Sequence, residues 1–395
     1  MGTLPALVEP GPALTGGRLA RYSRQVMLPG FGETAQRRLA NARVLVVGAG
    51  GLGSASIPYL AAAGVGTIGV VDDDAVELSN LHRQVAHSAE DVGARKVDSI
   101  AGTVAAIDRD VSVRTYDVRL TSSNIMGILA DYDVVLDGSD NFPTRYLTND
   151  AASLSHKPLV WGAILRYSGQ ASVAWVDAGP TYRDLFPQPP APGDVPSCSE
   201  AGVLPGVCAV IGAIMATETL KLITGLGEPL IGRVTTYDAL TGRYRELAYA
   251  RDPNAEPITG LIDYAAFCGL SQQNPVSSEG APVKARSHAE PARVTPGQLA
   301  ARLAGGEPLQ LIDVREPFEA AIARIDGSEL IPLGRLGQSL DAIRTDMPVV
   351  LYCHHGPRSE RAAAMLRQAG MTDVTDLAGG IDAYAREVDP ALARY

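Results

Sequence analysis

The chain has 395 residues, of which 46% are apolar and 20% charged, and this length is sufficient for two or three domains. A formal net charge of −10, with no basic tract to offset it, argues against a nucleic-acid-binding protein. No stretch of about 18 uncharged apolar residues occurs, so no transmembrane helix is expected, and no N-terminal secretory signal is expected. Four widely spaced cysteines without a C-x-x-C pair indicate free thiols in a reducing cytoplasm.

The predicted elements divide the chain into four segments. Residues 1–17, rich in Pro and Gly, are predicted to be a disordered leader. Strands and helices alternate over residues 18–270, and residues 271–294 read as a polar, Pro- and Ser-rich linker. Residues 295–395 are predicted to form a smaller α/β domain. The fold class is therefore α/β in both domains.

A glycine-rich turn follows the first apolar strand of the larger domain. The stretch ARVLVVGAGGLGSASIPYLAAAGVGTIGVVDDD contains the dinucleotide fingerprint, and Asp72 ends the second strand at a distance that suits a ribose hydroxyl. Such a turn lets the backbone approach a phosphate beside a helix N-terminus. It predicts a nucleotide site in a mainly doubly wound, Rossmann-like sheet, and alone it favours an NAD enzyme. The glycines are Gly48, Gly50, Gly51 and Gly53.

Charged residues further along favour a nucleoside triphosphate. Arg83 and Lys96 supply positive charge for a polyphosphate. Asp140 and Asn141 follow another apolar strand, at the sheet edge where open α/β folds bind ligands, and Asp140 is suited to hold Mg²⁺. A hydride-transfer enzyme has no need of this set. The set therefore argues against an NAD-linked oxidoreductase, which stays as an alternative.

The segment LYCHHGPRS places Cys353 between a predicted buried strand and a predicted helix. Backbone N–H groups of such a turn, the helix N-terminus and Arg358 all favour a thiolate or a bound anion. We therefore interpret Cys353 as a reactive thiol rather than a structural cysteine. Four residues separate it from Arg358, whereas a cysteine phosphatase has the C-x5-R spacing. The rest of this loop is His354, His355, Gly356, Pro357 and Arg358.

Residues 18–250 resemble the adenylating domain of the ubiquitin-activating E1 superfamily, in its molybdopterin- and thiamine-pathway (MoeB/ThiF) branch. The motifs that carry this resemblance are RYSRQ (21–25), GAGGLG (48–53), VDDDAVELSNLHRQ (71–84), Lys96, LDGSDN (136–141) and YDALTGRYREL (237–247). The C-terminal hundred residues resemble a rhodanese domain through LIDVREPFEAAIARIDGSELIPLG, CHHGPRS and LAGGIDAYARE. The order of the two domains is that of activators of sulfur-carrier proteins.

The resemblance implies ATP- and Mg²⁺-dependent adenylation of a small ubiquitin-like carrier protein that ends in Gly-Gly. Sulfur transfer from a persulfide on Cys353 would then give a thiocarboxylate, with thiosulfate or a cysteine desulfurase as the sulfur donor. Arg24 resembles an arginine that enters the partner subunit's site, which implies a homodimer, and Cys198 resembles a second catalytic cysteine. The implied nucleotide-binding residues are the glycine turn, Asp72, Ser79, Asn80, Leu81, His82, Arg83, Lys96, Asp140 and Asn141.

Two departures from the family pattern modify these expectations. Many relatives hold a zinc ion with two C-x-x-C pairs, but residues 181–184 and 255–258 contain no cysteine, so we expect no structural zinc. Pro357 removes a backbone donor from the thiol loop, so a carrier-binding, adenylating protein with an inert rhodanese domain is an alternative. The carrier, the pathway and the role of Cys198, as a thioester or as a thiocarboxylate-releasing thiol, stay open.

Overall fold

The computed structural model describes residues 4–191, 201–269 and 293–394. The chain separates into two compact units, Met1–Gln273 and Asn274–Tyr395. Each unit has its own sheet and its own apolar core. The predicted α/β fold class is confirmed for both units.

The larger unit is built on an eight-stranded sheet of order β3-β2-β1-β4-β5-β6-β7-β8. The neighbours from β3 to β5 pair in parallel, which confirms the doubly wound part, whereas β5 to β8 pair antiparallel. The strands are β1 (Arg43–Val47), β2 (Thr67–Val71), β3 (Ser112–Tyr116), β4 (Val134–Asp137), β5 (Leu159–Leu165), β6 (Ser168–Ala174), β7 (Arg233–Asp238) and β8 (Arg243–Ala248).

Helices cover both faces of this sheet. Because successive side chains of a strand point to opposite faces, Val44 and Val46 of β1 enter one core, while Leu45 and Val47 enter another. The helices are α1 (Gly16–Arg21), α2 (Ser23–Val26), α3 (Gly32–Asn41), α4 (Gly51–Ala63), α5 (Lys96–Ile107), α6 (Ile125–Leu129), α7 (Phe142–Leu154), α8 (Tyr182–Leu185), α9 (Pro205–Thr224) and α10 (Tyr264–Phe267).

Helix α9 is long and apolar enough to cross a membrane, judged by length and composition alone, and 56% of its most apolar window is buried inside the unit. It packs closely against α4, β5 and β6. Its buried apolar side chains, among them Val207, Ile211 and Met215, belong to the core of the larger unit. Its hydrophobicity is therefore that of a core helix.

The predicted disordered leader is wrong for residues 4–17. The N–H of Leu7 donates to the carbonyl of Leu222 (3.0 Å), and the N–H of Gly11 donates to that of Arg37 (3.1 Å). Val8 is buried, and α1 already begins at Gly16. The Pro- and Gly-rich composition misled the prediction because these contacts use the backbone, which leaves no side-chain periodicity in the sequence.

The smaller unit has a five-stranded, wholly parallel sheet of order β11-β10-β12-β13-β9. Its strands are β9 (Arg293–Val294), β10 (Gln310–Asp313), β11 (Glu329–Leu330), β12 (Val349–Tyr352) and β13 (Val374–Leu377). Its helices are α11 (Pro296–Ala304), α12 (Pro317–Ala320), α13 (Leu333–Leu336), α14 (Pro357–Gln368) and α15 (Gly380–Glu387). Residues 293–294, predicted as linker, thus belong to this sheet, and residues 271–292 lie outside the described part of the chain.

Candidate active sites

The glycine-rich turn joins β1 to α4 at the carboxyl edge of the parallel strands. Gly48 has a φ of 90°, and a Cβ on Gly53 would lie only 1.9 Å from the carbonyl oxygen of Gly48. A Cβ on Gly50 would meet only Nε2 of Gln84, at 3.7 Å. Gly48 and Gly53 therefore fix the shape of the turn, while the backbone at Gly50 stays accessible to a ligand.

The other side of this turn packs against the core. Gly51 is the first residue of α4, and a Cβ there would lie 3.0 Å from the Sγ of Cys208 in α9. Cys208 is 1% exposed, which agrees with a packing role for this thiol.

Asp72 follows β2 and braces the glycine turn. One carboxylate oxygen accepts the N–H of Ala49 (2.8 Å) and the other accepts the N–H of Asp74 (2.9 Å). Burial raises the pKa of Asp72, and the nearby Lys96 ammonium opposes that rise. A carboxylate can accept about four hydrogen bonds, so these two leave capacity for the predicted ribose hydroxyl.

The cationic residues of the predicted phosphate site lie on the segment after β2 and at the start of α5. Lys96, the first residue of α5, is buried, and its Nζ contacts Asp74 Oδ2 at 2.7 Å. Nη1 of Arg83 donates to the carbonyl of Ser79 (3.1 Å) and lies 2.9 Å from Nε2 of His82. Burial, and then the charge of Arg83, lower the pKa of His82.

The neighbouring polar residues of that segment hold its backbone. Asn80 is buried at the end of a 3-10 turn (Leu78–Asn80), which Leu81 follows. Its Oδ1 accepts the backbone N–H of Glu77 (3.4 Å), and its Nδ2 donates to Oγ of Ser79 (3.3 Å). The turn therefore fixes the start of the segment that carries the guanidinium of Arg83.

Two residues of this site were missed in the sequence analysis. Gln84 is buried, and its Oε1 finds no hydrogen-bond partner among the described residues. His87 is also buried and bridges the carbonyl of Ala49 (2.9 Å) and Oγ of Ser99 (2.8 Å), so it ties the turn to α5. Gln84 ends the LHRQ motif and was within reach of sequence reasoning, whereas no local pattern points to His87.

Asp140 and Asn141 follow β4. Because β4 pairs in parallel with β1, they lie at the same edge of the sheet as the glycine turn. Asp140 is exposed. Asn141 caps α7 by accepting the N–H of Thr144 (3.0 Å), so its side chain has a structural role, and its predicted contact with a nucleotide stays a prediction. Within residues 4–191, 201–269 and 293–394, no three His, Cys, Asp or Glu side chains are grouped to hold a metal ion.

The remaining predicted residues of the larger unit are Arg24 and Cys198. Arg24 is exposed on the short helix α2. Cys198 lies outside the described residues.

Hydrogen bonds of Asp184 hold residues 181–184, where no structural zinc was expected. Asp184 Oδ2 accepts the N–H (2.6 Å) and Oγ (3.0 Å) of Thr181, and its Oδ1 accepts the N–H of Asp252 (2.9 Å). One carboxylate thereby joins the start of α8 to the segment after β8.

In the smaller unit, Cys353 directly follows β12 and is 1% exposed. Its Sγ accepts the N–H of Gly356 at 3.1 Å and faces Oγ of Ser359 at 3.6 Å. The start of α15 holds the same loop from the other side, since Ile381 N–H donates to the carbonyl of Cys353 (2.9 Å). The predicted role of Cys353 as a reactive thiol stays a prediction. Ser359, whose hydroxyl also donates to the carbonyl of Gly356 (2.8 Å), was not assigned from the sequence.

Arg358 of the thiol loop pairs with a carboxylate from a distant part of the smaller unit. Its guanidinium forms two hydrogen bonds with the carboxylate of Glu319, at 2.7 and 2.6 Å. Burial opposes ionisation of Glu319, but Arg358 and the N–H of Glu316 hold its pKa below the usual value. The positive charge expected beside Cys353 is therefore paired with a carboxylate. No local pattern in the sequence indicates that Glu319 would meet this loop.

The other loop residues shape the cradle. Pro357 is the first residue of α14, where a backbone N–H has no partner in the helix, so its missing donor costs the helix nothing. His354 is buried, and burial followed by the adjacent His355 lowers its pKa to about 4. The two rings stack with their centres 3.8 Å apart, and exposed His355 lies 3.9 Å from Asp382.

Two family models match the chain, the ThiF family over residues 22–257 and the rhodanese-like domain over residues 295–387. The chain belongs to the ThiF family. The predicted E1-like domain followed by a rhodanese domain is thereby confirmed. A ThiF-family domain implies the use of ATP, which agrees with a glycine turn whose backbone is accessible at Gly50 and with the unpaired Oε1 of buried Gln84.

Two relatives match this ThiF–rhodanese chain along almost its whole length, and a third matches 64% of it. It is 48% identical over 399 residues to the "Probable adenylyltransferase/sulfurtransferase MoeZ" of Mycobacterium tuberculosis H37Rv, covering 100% of this chain and 99% of that protein. It is 39% identical over 404 residues to "Adenylyltransferase and sulfurtransferase MOCS3-1" of Zea mays, covering 98% and 85%. The "Sulfur carrier protein adenylyltransferase" of Thermus thermophilus is 52% identical over 264 residues, covering 64% and 97%.

Solved structures share the fold at lower identity. Escherichia coli MccB with ATP has a TM-score of 0.52 at 22% identity and covers 63% of this chain and 76% of that chain. PaaA has a TM-score of 0.53 at 23% identity, with coverage of 61% and 76%. These likenesses concern the fold alone.

Proposed function

We propose that this chain adenylates the C-terminal glycine of a small ubiquitin-like sulfur-carrier protein and then converts the adenylate to a thiocarboxylate. The class of activity, adenylyltransferase and sulfurtransferase, agrees with the full-length relatives. The observation that carries the proposal is the pairing, on one ThiF-family chain, of a phosphate-binding turn with a thiol that accepts a backbone N–H at 3.1 Å. The ThiF match favours this chemistry over the NAD-linked alternative.

In the first reaction the carrier's carboxylate attacks the α-phosphorus of ATP, and pyrophosphate leaves. A carboxylate is already a nucleophile, so the protein's task is to orient it and to offset phosphate charge. The turn's N–H groups, Lys96 and Arg83 are the groups that would do this. The unpaired Oε1 and the Nε2 of Gln84 would orient the ligand beside Gly50.

Magnesium and a partner subunit complete the proposed adenylation site. Asp140, exposed at the carboxyl edge of the sheet, would supply one carboxylate ligand, because Mg²⁺ in such sites takes most other ligands from phosphate and water. Arg24, exposed on α2, would enter the site of the partner subunit in a homodimer. Asn141 would lie alongside Asp140 as the cap of α7.

In the second reaction the outer sulfur of a Cys353 persulfide attacks the acyl carbonyl and AMP leaves. The N–H of Gly356, which donates to Sγ, would stabilise the Cys353 thiolate that re-forms when the disulfide described next is reduced. Attack by Cys198 on the resulting acyl persulfide would release the thiocarboxylate and leave a disulfide, which a cytoplasmic thiol reductant would reopen. Thiosulfate or a cysteine desulfurase would recharge Cys353.

The alternative of an inert rhodanese domain rested on Pro357. Its position as the first residue of α14, with Gly356 supplying the donor to Sγ, removes that reason. We therefore favour an active sulfurtransferase.

The test is the variant Cys353→Ala. ATP–pyrophosphate exchange with a Gly-Gly-terminated carrier should be unchanged, whereas thiocarboxylate formation should fall to background and thiosulfate treatment should add no sulfur by mass spectrometry. Cys268→Ala is the matched control, because Cys268 is a buried thiol in the larger unit with no proposed role. Full sulfur transfer by Cys353→Ala would refute the assignment.

A further inference from the structure

Two short helices at the N-terminus of the larger unit carry Arg24, and neither buries any of its own residues. Helix α1 spans six residues and α2 spans four. Helices this short are not stable by themselves in water, and apolar packing of their side chains does not hold them here. Something else must fix the direction in which Arg24 projects.

Polar anchors on both sides of Arg24 provide that fixation. Tyr22, between α1 and α2, is 3% exposed, and its hydroxyl donates to Asp108 Oδ2. On the other side, Nε2 of Gln25 donates to Oε1 of Gln36 (2.8 Å) and to the carbonyl of Ala63 (3.1 Å).

Both anchors end on helices that begin at the nucleotide site. Asp108 is the C-cap of α5, whose first residue is Lys96. Ala63 is the last residue of α4, which starts in the glycine turn and ends at Gly64. A Cβ on Gly64 would lie 2.5 Å from Cζ of Tyr22, so the phenol ring sits directly on this helix end.

Asp108 is an unusual residue for its position. A carboxylate at a helix C-terminus faces the negative end of the helix dipole. Burial also opposes its ionisation, yet the Tyr22 hydroxyl and the N–H of Asp110 keep the pKa of Asp108 below its usual value. Arg21 contributes an ion pair at 3.1 Å. The favourable contacts of this carboxylate are therefore made mainly with the segment that carries Arg24.

We infer that Tyr22 and Asp108 are positioning residues that hold Arg24 in the direction needed to reach the partner subunit's adenylation site. This inference rests on the proposed function, since it requires Arg24 to act in trans. It predicts that loss of the Tyr22 hydroxyl impairs the partner's site and leaves the variant's own nucleotide site intact.

The experiment uses hybrid dimers of the full chain, with differently tagged protomers and a single competent nucleotide site. In the first hybrid one protomer carries Tyr22→Phe and its partner carries Lys96→Ala. In the second, one protomer is wild type and its partner carries both substitutions. ATP–pyrophosphate exchange is measured with a ubiquitin-like Gly-Gly carrier protein that the wild-type chain accepts.

We expect the first hybrid to match a reference hybrid of wild type with Lys96→Ala, because its competent site receives a correctly held Arg24. The second should lose at least about tenfold in kcat, since small misplacements of a catalytic group have effects of this size or larger, with KM for ATP unchanged. Equal rates in the two hybrids, or loss only in the first, would overturn the inference.

Controls separate a failed inference from a failed function. Arg24→Ala in the same two arrangements tests action in trans: if it shows no loss specific to the second hybrid, both the role of Arg24 and this inference fall. If Arg24→Ala shows that loss and Tyr22→Phe does not, only the inference falls. Tyr116→Phe, which removes a hydroxyl bonded to Tyr132 at 2.9 Å, should be silent. Asp108→Asn replaces Tyr22→Phe if the latter unfolds.

Discussion

The pairing of Glu319 with Arg358 makes the thiol loop depend on a residue far from it in sequence, and Glu319→Gln tests this. The substitution keeps the shape of the side chain and removes its charge. The side chain of Glu319 is 2% exposed and that of Arg358 is 18% exposed. The substitution would therefore leave a largely buried guanidinium without its charged partner. Breaking a buried pair costs about 3–5 kcal/mol. We expect about 3 kcal/mol here, because Arg358 keeps some contact with water.

The assay is calorimetric unfolding of the full-length protein. A loss of this size should lower the melting temperature of the transition that belongs to the rhodanese-like unit by about 14 °C, and leave the other transition in place. Glu307→Gln is the control: Glu307 contacts Arg302 at 2.7 Å on the surface, and such pairs contribute about 0–1 kcal/mol. If both variants melt within a degree or two of wild type, the buried pair does not stabilise the loop.

Three further changes test other parts of the structure. Gly53→Ala places a Cβ 1.9 Å from a carbonyl oxygen and should weaken binding of a fluorescent ATP analogue at least about tenfold; Gly102→Ala, with nothing within 4 Å, should bind normally. Because the pKa of His354 is lowered to about 4, the unfolded state binds more protons below its ordinary value near 6.5, and stability should fall by up to about 3 kcal/mol as pH drops from about 6.5 to about 4. His354→Gln should remove that pH dependence, and a persistent slope would contradict it. Asp184→Ala should destabilise the larger unit by about 2 kcal/mol in urea unfolding, and an unchanged midpoint would show that its hydrogen bonds are dispensable.

The sequence was most informative for functional residues whose positions are set by a few neighbouring residues in the chain. The glycine turn, Asp72 after β2 and Cys353 after β12 occupy the places their patterns predicted, because backbone turns and strand ends are set by neighbouring residues. Lys96 and Arg83 were likewise placed by a motif of limited length.

Contacts between distant residues could not be anticipated. The partner of Arg358 is Glu319, thirty-nine positions away, and His87 reaches Ala49 across thirty-eight. The prediction of a disordered leader was wrong for a related reason. The hydrogen bonds from the leader to Leu222 and Arg37 use backbone groups, which every residue possesses, so the sequence does not reveal them. Asn141 differs from these residues, because the motif identified it correctly but its side chain caps helix α7 in the structure.

The hydrogen bonds from the start of α15 to the loop that carries Cys353 have a consequence for repeated turnover. The N–H groups of Ile381 and Asp382 hold the carbonyls of Cys353 and His354 at 2.9 and 3.1 Å, and a Cβ on Gly380 would approach the same two oxygens within 2.5 Å. The main chain around the sulfur is thus immobilised before any reactant arrives. Each gain or loss of a sulfur atom then needs little reorganisation of the loop, because its ordering entropy was lost once, during folding. Under the proposed function, such a loop would cycle between thiol and persulfide with its main chain fixed, and only the outermost sulfur atom would be exchanged.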